Sequence, residues 1–141
     1  MKRDWDLLRK QLIAIEEDLD FEPGVLGSMP ASPAWLDSQT EAEYVKIRDD
    51  HKKLEARIFG HLEMLINNGY VEGVKILRDY QTFNYGLTNP RLTMAGHDLL
   101  DTMRSQQLWE RIKSAAKARG VELTFDTIKD LAAYALKTLL V

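Results

Sequence analysis

The fold of this chain is decided by residues 60–71, which read GHLEMLINNGYV, and by residues 92–100, which read LTMAGHDLL. In the first stretch, Leu62 and Leu65 lie on one face of a helix, and Gly69 is followed at once by an aromatic residue and a valine. Glycine adopts the left-handed conformation that ends many helices without steric cost. The pattern therefore predicts a helix that ends at this glycine and leads directly into a strand.

The residues between these two stretches are typical of a β-hairpin. Residues 70–77 alternate weakly and carry three β-branched side chains, and residues 80–87 contain the aromatic side chains of a return strand. The second stretch then predicts a helix that is capped by Thr93. In this helix, Gly96 lacks a side chain, so we expect a close approach to a neighbouring element at that position.

The remaining segments are predicted to be helical, apart from one long loop. A first helix follows Asp4 and has an apolar face, two helices are predicted around residues 41–49 and 53–67, and two more fill the chain after residue 106. The two middle helices could also form one long helix. Residues 19–38 are rich in proline and glycine and predict a long loop, with apolar side chains that suggest a short packed strand.

The order of these elements predicts a mainly α fold with a small β-hairpin, in the α+β class. We interpret it as a winged helix-turn-helix core with a C-terminal helical extension. Residues 1–105 would form the winged-helix domain, with the loop inserted after the first helix. Residues 106–141 would form a helical hairpin that packs on the core or at a dimer interface, through an apolar stripe of Ile128, Leu131, Ala135 and Leu139.

Composition limits the location and chemistry of the protein. The 141 residues suffice for one domain, and the absence of cysteine excludes disulfides and thiolate metal sites. We therefore expect a cytoplasmic protein, with no signal peptide and no membrane span, because charges interrupt every long apolar run. The net charge of −3 is not that of a strongly basic nucleic-acid protein, but the local charge decides such a contact.

At this level of detail the chain resembles a family of small phage and prophage proteins known as domain of unknown function 2513. The resemblance covers most of the chain outside residues 19–38. It implies a winged-helix-like fold and a phage or bacterial origin, and it implies no activity. It rests on Met1-Lys2-Arg3-Asp4 with Leu7-Leu8, on His61-Leu62 with Leu65 and Gly69, on Leu92-Thr93 with Gly96-His97 and Leu100, and on Trp109 with the closing helix from Thr124.

The winged-helix interpretation predicts a DNA interface. The helix over residues 53–67 would enter the major groove, and the hairpin would contact the adjacent backbone. Arginine and lysine suit phosphates, and arginine also reads guanine with two hydrogen bonds. The candidate contacts are Lys52, Lys53 and Arg57 near or on the helix and Lys75, Arg78 and Asn84 on the hairpin.

Two alternatives to DNA binding remain open at this point. Glu55 and Glu63 lie on the same helix and make its exposed side nearly neutral, so the face is equally consistent with a solvated surface. The protein would then be an interaction module that binds and modulates a host protein. A homodimer is compatible with both functions, and it would match the two-fold symmetry of many DNA sites.

No pattern in the sequence indicates an enzyme, a metal site or a cofactor. The three histidines, His51, His61 and His97, do not have the spacing of metal ligands, and packed structural roles are expected for them. No nucleophile motif and no phosphate-binding loop are present. The three tryptophans do not interleave with basic residues, so packing is their expected role.

Overall fold

The computed structural model describes residues 2–18, 20–27, 33–80 and 82–139, except for the side chains of residues 138 and 139. The chain is mainly helical with one antiparallel hairpin, which confirms the predicted α+β class. The elements are α1 (Trp5–Glu16), a single π-helical turn (Phe21–Val25), α2 (Glu41–Asn67), β1 (Val71–Arg78), β2 (Phe83–Leu92), α3 (Met94–Met103), α4 (Gln106–Arg119) and α5 (Phe125–Leu139).

Helix α1 begins directly after Asp4, as the sequence predicts. The Asp4 carboxylate accepts a hydrogen bond of 3.1 Å from the backbone N–H of Leu7, which satisfies one of the free donors at the helix start. The predicted apolar face is buried and includes Leu8 and Leu12, both without exposed surface. After the helix, Asp18 adopts a left-handed conformation with φ of 53°, so the chain turns away there.

Helix α2 is one continuous helix of 27 residues, about 40 Å long. The predicted break between residues 49 and 53 is wrong, and the alternative of one long helix is confirmed. No glycine or proline interrupts that stretch. A capping box of Thr40 and Glu43 starts the helix, and His51 faces the Glu55 carboxylate one turn later at 3.8 Å.

The predicted hairpin is confirmed, with a first strand of the predicted length and a return strand that starts later and ends at Leu92 instead of residue 87. Strands β1 and β2 pair antiparallel with Arg78 opposite Phe83 near the tip, and a bulge interrupts the pairing around Gly73. Gly73 has φ of +81°, and a Cβ atom there would meet the carbonyl oxygens of the opposing strand. The bulge therefore requires glycine at this position.

The close approach predicted at Gly96 is also confirmed. Thr93 caps α3 by accepting a hydrogen bond of 3.0 Å from the Gly96 N–H, and its own backbone N–H donates to the Tyr70 carbonyl at 3.0 Å. A Cβ atom at position 96 would fall on that carbonyl oxygen and lie 3.0 Å from its carbon. The start of α3 therefore packs directly on the start of the hairpin.

One main core joins α1, the second half of α2, the hairpin and the three C-terminal helices. Its largest fully buried side chain is Trp109 on α4. The stripe on α5 belongs to this core, because Ile128, Leu131 and Ala135 are at most 4% exposed in the single chain. Other residues of the same chain bury these side chains. A homodimer therefore stays a prediction, and it would have to form through another surface. The side chain of Leu139 lies outside the described part.

The predicted loop over residues 19–38 contains no strand in the portions that the structure describes. Instead, the π-helical turn over Phe21–Val25 packs on α1, and Val25 and Leu26 are buried. Pro23 lacks an N–H to pair with a neighbouring strand, which explains why a strand does not form here. Residues 28–32 of the loop lie outside the described part.

Candidate nucleic-acid interface

The start of α1 is fastened to the middle of α2 by a buried histidine. His61 has no exposed surface, and its Nε2 accepts a hydrogen bond of 2.7 Å from the Asp4 backbone N–H. Its Nδ1 donates to the Arg57 carbonyl at 2.7 Å. The packed structural role that the sequence predicts for His61 is therefore confirmed, and residues 2–4 are held beside α2.

Two further contacts fix the start of α1 against the C-terminal helices. The Trp5 indole N–H donates to the Leu123 carbonyl at 3.0 Å, and the Trp109 indole N–H donates to the Asp6 carboxylate at 2.9 Å. The Trp5 ring meets Phe125 edge-on, with ring centroids 4.9 Å apart. These contacts place Asp4, Trp5 and Asp6 between α2, α4 and the segment before α5.

A cationic groove results from this arrangement. It is an open cavity of about 750 Å³, and a tryptophan, an alanine and a leucine complete its wall. Its charged lining consists of five cations against two carboxylates, namely Lys2, Arg3, Lys53, Arg57 and Lys113 against Asp4 and Asp6. We call this cavity the cationic groove. Its local charge is positive although the whole chain is acidic.

Two of the five cations are already paired within the groove. Arg57 forms an ion pair with Asp4, and Lys113 lies 3.2 Å from Asp6. The hydrogen bond from Trp109, more than any other contact, lowers the pKa of Asp6, and Lys113 adds to the effect against the opposing effect of burial. Asp6 is therefore a carboxylate at neutral pH.

The other three cations are available to an incoming anion. Within the described ranges, no carboxylate lies within ion-pair distance of Lys2, Arg3 or Lys53. The Arg3 guanidinium lies over the Trp5 ring, 5.5 Å from its centroid, which fixes its position and leaves its charge unpaired. Lys53 is exposed on α2.

The structure divides the predicted DNA contacts between two places. Lys53 and Arg57 lie one turn apart on α2 and line the cationic groove, and Lys52 is exposed beside them. Lys75 and Asn84 are exposed on the hairpin, opposite Gly86 and Leu77, and one further cross-strand pair separates their two pairs. They therefore share neither the helix nor the groove with the first group.

Arg78, the last predicted contact, is used to hold the hairpin on α2. It pairs with Glu63 at 2.6 Å and lies over the Phe83 ring, 5.0 Å from its centroid. Glu55 accepts a hydrogen bond of 3.0 Å from the Phe83 backbone N–H. The two glutamates that made the helix look neutral therefore face the hairpin, and Lys53 and Arg57 lie on another side of α2.

Lys2, Arg3 and Lys113 are the groove residues that the sequence reasoning did not select. Lys2 and Arg3 directly precede the cap of an amphipathic helix, which would have been a usable signal. Lys113 was visible only as part of a general run of basic residues on α4. Its position beside Asp6 depends on a contact across 107 residues, which no local pattern indicates.

In the part of the chain that the structure covers, no group of three or more histidine, cysteine or acidic side chains is arranged to hold a metal ion. Among the same residues, no helix combines the length and apolar character that crossing a membrane requires.

The protein is a mainly helical α+β protein in which a long helix lies between a β-hairpin and a cationic groove. The chain belongs to the family described as "Hypothetical protein (DUF2513)", whose model matches residues 2–122. It is also similar to a Haemophilus influenzae protein named "Uncharacterized protein", with 29% identity over 133 residues that cover 94% of this chain and 92% of the relative. No solved structure matches the chain.

Proposed function

We propose that the protein binds nucleic acid, with DNA the leading candidate, and that the cationic groove contacts the phosphates. The observation that carries the proposal is the cluster of Lys2, Arg3 and Lys53, three cations without a carboxylate partner in the described chain at the edge of one cavity. Phosphate contacts from lysine and arginine supply most of the affinity of such complexes. Glu55 and Glu63 do not neutralise these cations, because both carboxylates contact the hairpin.

Salt dependence is the direct test of this proposal. Three neutralised phosphates correspond to a slope of about −2.7 for a duplex or about −2.1 for a single strand in a plot of log affinity against log salt. Between about 50 and 200 mM salt, this is about a 40-fold or about an 18-fold loss, respectively. A labelled oligonucleotide should show this loss in fluorescence anisotropy. Replacing Lys53 by alanine should reduce the slope by about 1. Lys137→Ala, an exposed lysine on α5, serves as the control and should leave the slope unchanged.

Two outcomes would overturn the proposal of nucleic-acid binding. If no oligonucleotide binds at 20 mM salt, or if Lys53→Ala and Lys137→Ala behave alike, the groove is not a phosphate site. The phage or prophage origin and the winged-helix interpretation belong to the same proposal. Their support is the sequence resemblance and the hairpin beside α2.

A second candidate function is binding to a host protein, and it is favoured by the first half of α2. This half carries no buried side chain up to residue 50. Next to it, large apolar side chains remain exposed, including Trp35 at 49%, Leu36 at 54% and Ile47 at 44%. Exposed apolar patches of this kind mark interaction surfaces.

A pull-down with two variants separates the second candidate from the first. Recovery of one host protein that is lost with Ile47→Asp but kept with Lys53→Ala would support an interaction module. Loss with Lys53→Ala and retention with Ile47→Asp would instead indicate a partner that enters the cationic groove.

A further inference from the structure

The floor of the cationic groove is apolar, and this feature is not needed for phosphate contacts alone. Between the cations, the lining consists of Ala56 on α2, Leu123 before α5 and the edge of Trp5. Ala56 is exposed and Leu123 is half-buried, so both present apolar surface to a ligand. The groove thus offers a small apolar surface with positive charge around it.

Whether a nucleic acid can pack on this apolar surface depends on whether it is a duplex or a single strand. In a duplex the bases are stacked inside and the phosphates lie on a convex, rigid surface, so only the rim of a concave groove is reached. In a single strand an unpaired base can leave the stack and pack on a protein surface while its flanking phosphates meet cations.

The floor is held rigidly before any ligand arrives. The Trp5 indole donates to the Leu123 carbonyl at 3.0 Å, and the same ring is fixed edge-on against Phe125. The flat Arg3 guanidinium already lies over Trp5, where it can meet both a phosphate and the face of a base. A preformed site loses little affinity to the ordering of its own side chains.

From this geometry we infer that the cationic groove binds unpaired nucleotides of a single strand in preference to duplex. The inference rests on the proposed function and names the form of nucleic acid that the same site takes. The base of one or two nucleotides packs over Ala56 and Leu123. The adjacent phosphates pair with Lys2, Arg3 and Lys53.

Three probes of equal length test the inference: a thymidine 12-mer, the same strand paired with its complement, and an abasic 12-mer with the same phosphates. We expect the thymidine strand to bind at least about fivefold tighter than either of the others at equal salt. Binding is measured by competition against one labelled strand.

A variant of the floor provides the second measurement. Ala56→Leu places a larger side chain where the base packs, without a change of charge, so it should reduce the affinity for the single strand more than the affinity for the duplex. Ala133→Leu, an exposed alanine on α5, is the matched control.

Each result has one meaning. Duplex that binds as tightly as the single strand, or an abasic strand that equals the thymidine strand, overturns the inference and leaves phosphate binding intact. No salt-dependent binding of any of the three probes instead overturns the proposed function itself.

Discussion

Asp4 has two roles that a single substitution can separate. One carboxylate oxygen caps α1, and the other pairs with Arg57 at the edge of the cationic groove. Asparagine is as good a helix cap as aspartate, but it carries no charge. Asp4→Asn therefore keeps the fold and frees the Arg57 charge for a ligand.

We predict that Asp4→Asn binds oligonucleotides several-fold more tightly than the natural chain at low salt, because one more cation reaches a phosphate. The salt slope should become steeper by about 1. Anisotropy titrations at four salt concentrations measure both effects. Asp98→Asn removes an equal charge from an exposed position on α3 and controls for the change of net charge. Equal effects of the two variants would contradict a specific role for the pair.

Asp6 predicts a pH dependence of stability. The Trp109 hydrogen bond and Lys113 lower its pKa from the ordinary value of 3.8. A carboxyl group whose pKa is lower in the folded state stabilises the fold above its unfolded-state pKa, and the contribution is lost as pH falls through the folded-state pKa. Asp6→Asn should thus cost less than about 1 kcal/mol at pH 7, because the side chain is 59% exposed.

The measurement is urea unfolding of both chains from pH 7 down to pH 2. The difference in the free energy of unfolding between Asp6→Asn and the natural chain should shrink as the solution becomes acidic. A difference that stays constant over this range would show that the charge of Asp6 does not contribute. In that case, only the geometry of the Trp109 hydrogen bond matters.

At the level of single residues, the sequence located part of the candidate site. Lys53 and Arg57 were selected because they are basic side chains on the helix that was predicted to enter the major groove. Lys2 and Lys113 were missed because their proximity depends on how α1 packs between α2 and α4. Arg78 was selected for its charge, but its partner Glu63 is 15 residues away on another element.

The elements themselves followed closely from local signals. The sequence predicted the helix caps at Asp4 and Thr93 and the glycine after α2. Each of these residues satisfies a helix end, and that requirement depends on only a few neighbouring residues. The break predicted inside α2 was wrong, since polar residues without glycine or proline continue a helix as readily as they end it. The π-helical turn at Phe21–Val25 had no recognisable signal.

The contact between α3 and the hairpin gives the clearest prediction for an element. Gly96→Ala should destabilise the fold by more than about 2 kcal/mol, because the new Cβ atom would overlap a backbone carbonyl that cannot move alone. Gly86→Ala is the matched control, since no atom lies within 4 Å of its added Cβ and its φ is not positive. Denaturant unfolding of both variants should show a large effect only at position 96.

At the scale of the whole molecule, α5 completes the core. Ile128 has no exposed surface, so Ile128→Ala should cost about 2–5 kcal/mol of stability. Leu136→Ala on the same helix removes a side chain that is 48% exposed and should cost well under 1 kcal/mol.

The same unfolding experiment tests whether a second subunit contributes to stability. Because the chain buries its own stripe, the urea midpoint of both α5 variants and of the natural chain should not change with protein concentration over a hundredfold range. A midpoint that rises with concentration would instead show that a second subunit stabilises the fold through another surface.

The His61 side chain allows the docking of the N-terminal segment on α2 to be followed by spectroscopy. The Asp4 N–H can only donate and the Arg57 carbonyl can only accept, so the His61 ring must be neutral with its proton on Nδ1. Neutral histidines in water prefer the other tautomer. The ¹⁵N chemical shifts of this one imidazole would therefore report, in solution and in the presence of a ligand, whether the N-terminal segment is docked on the long helix.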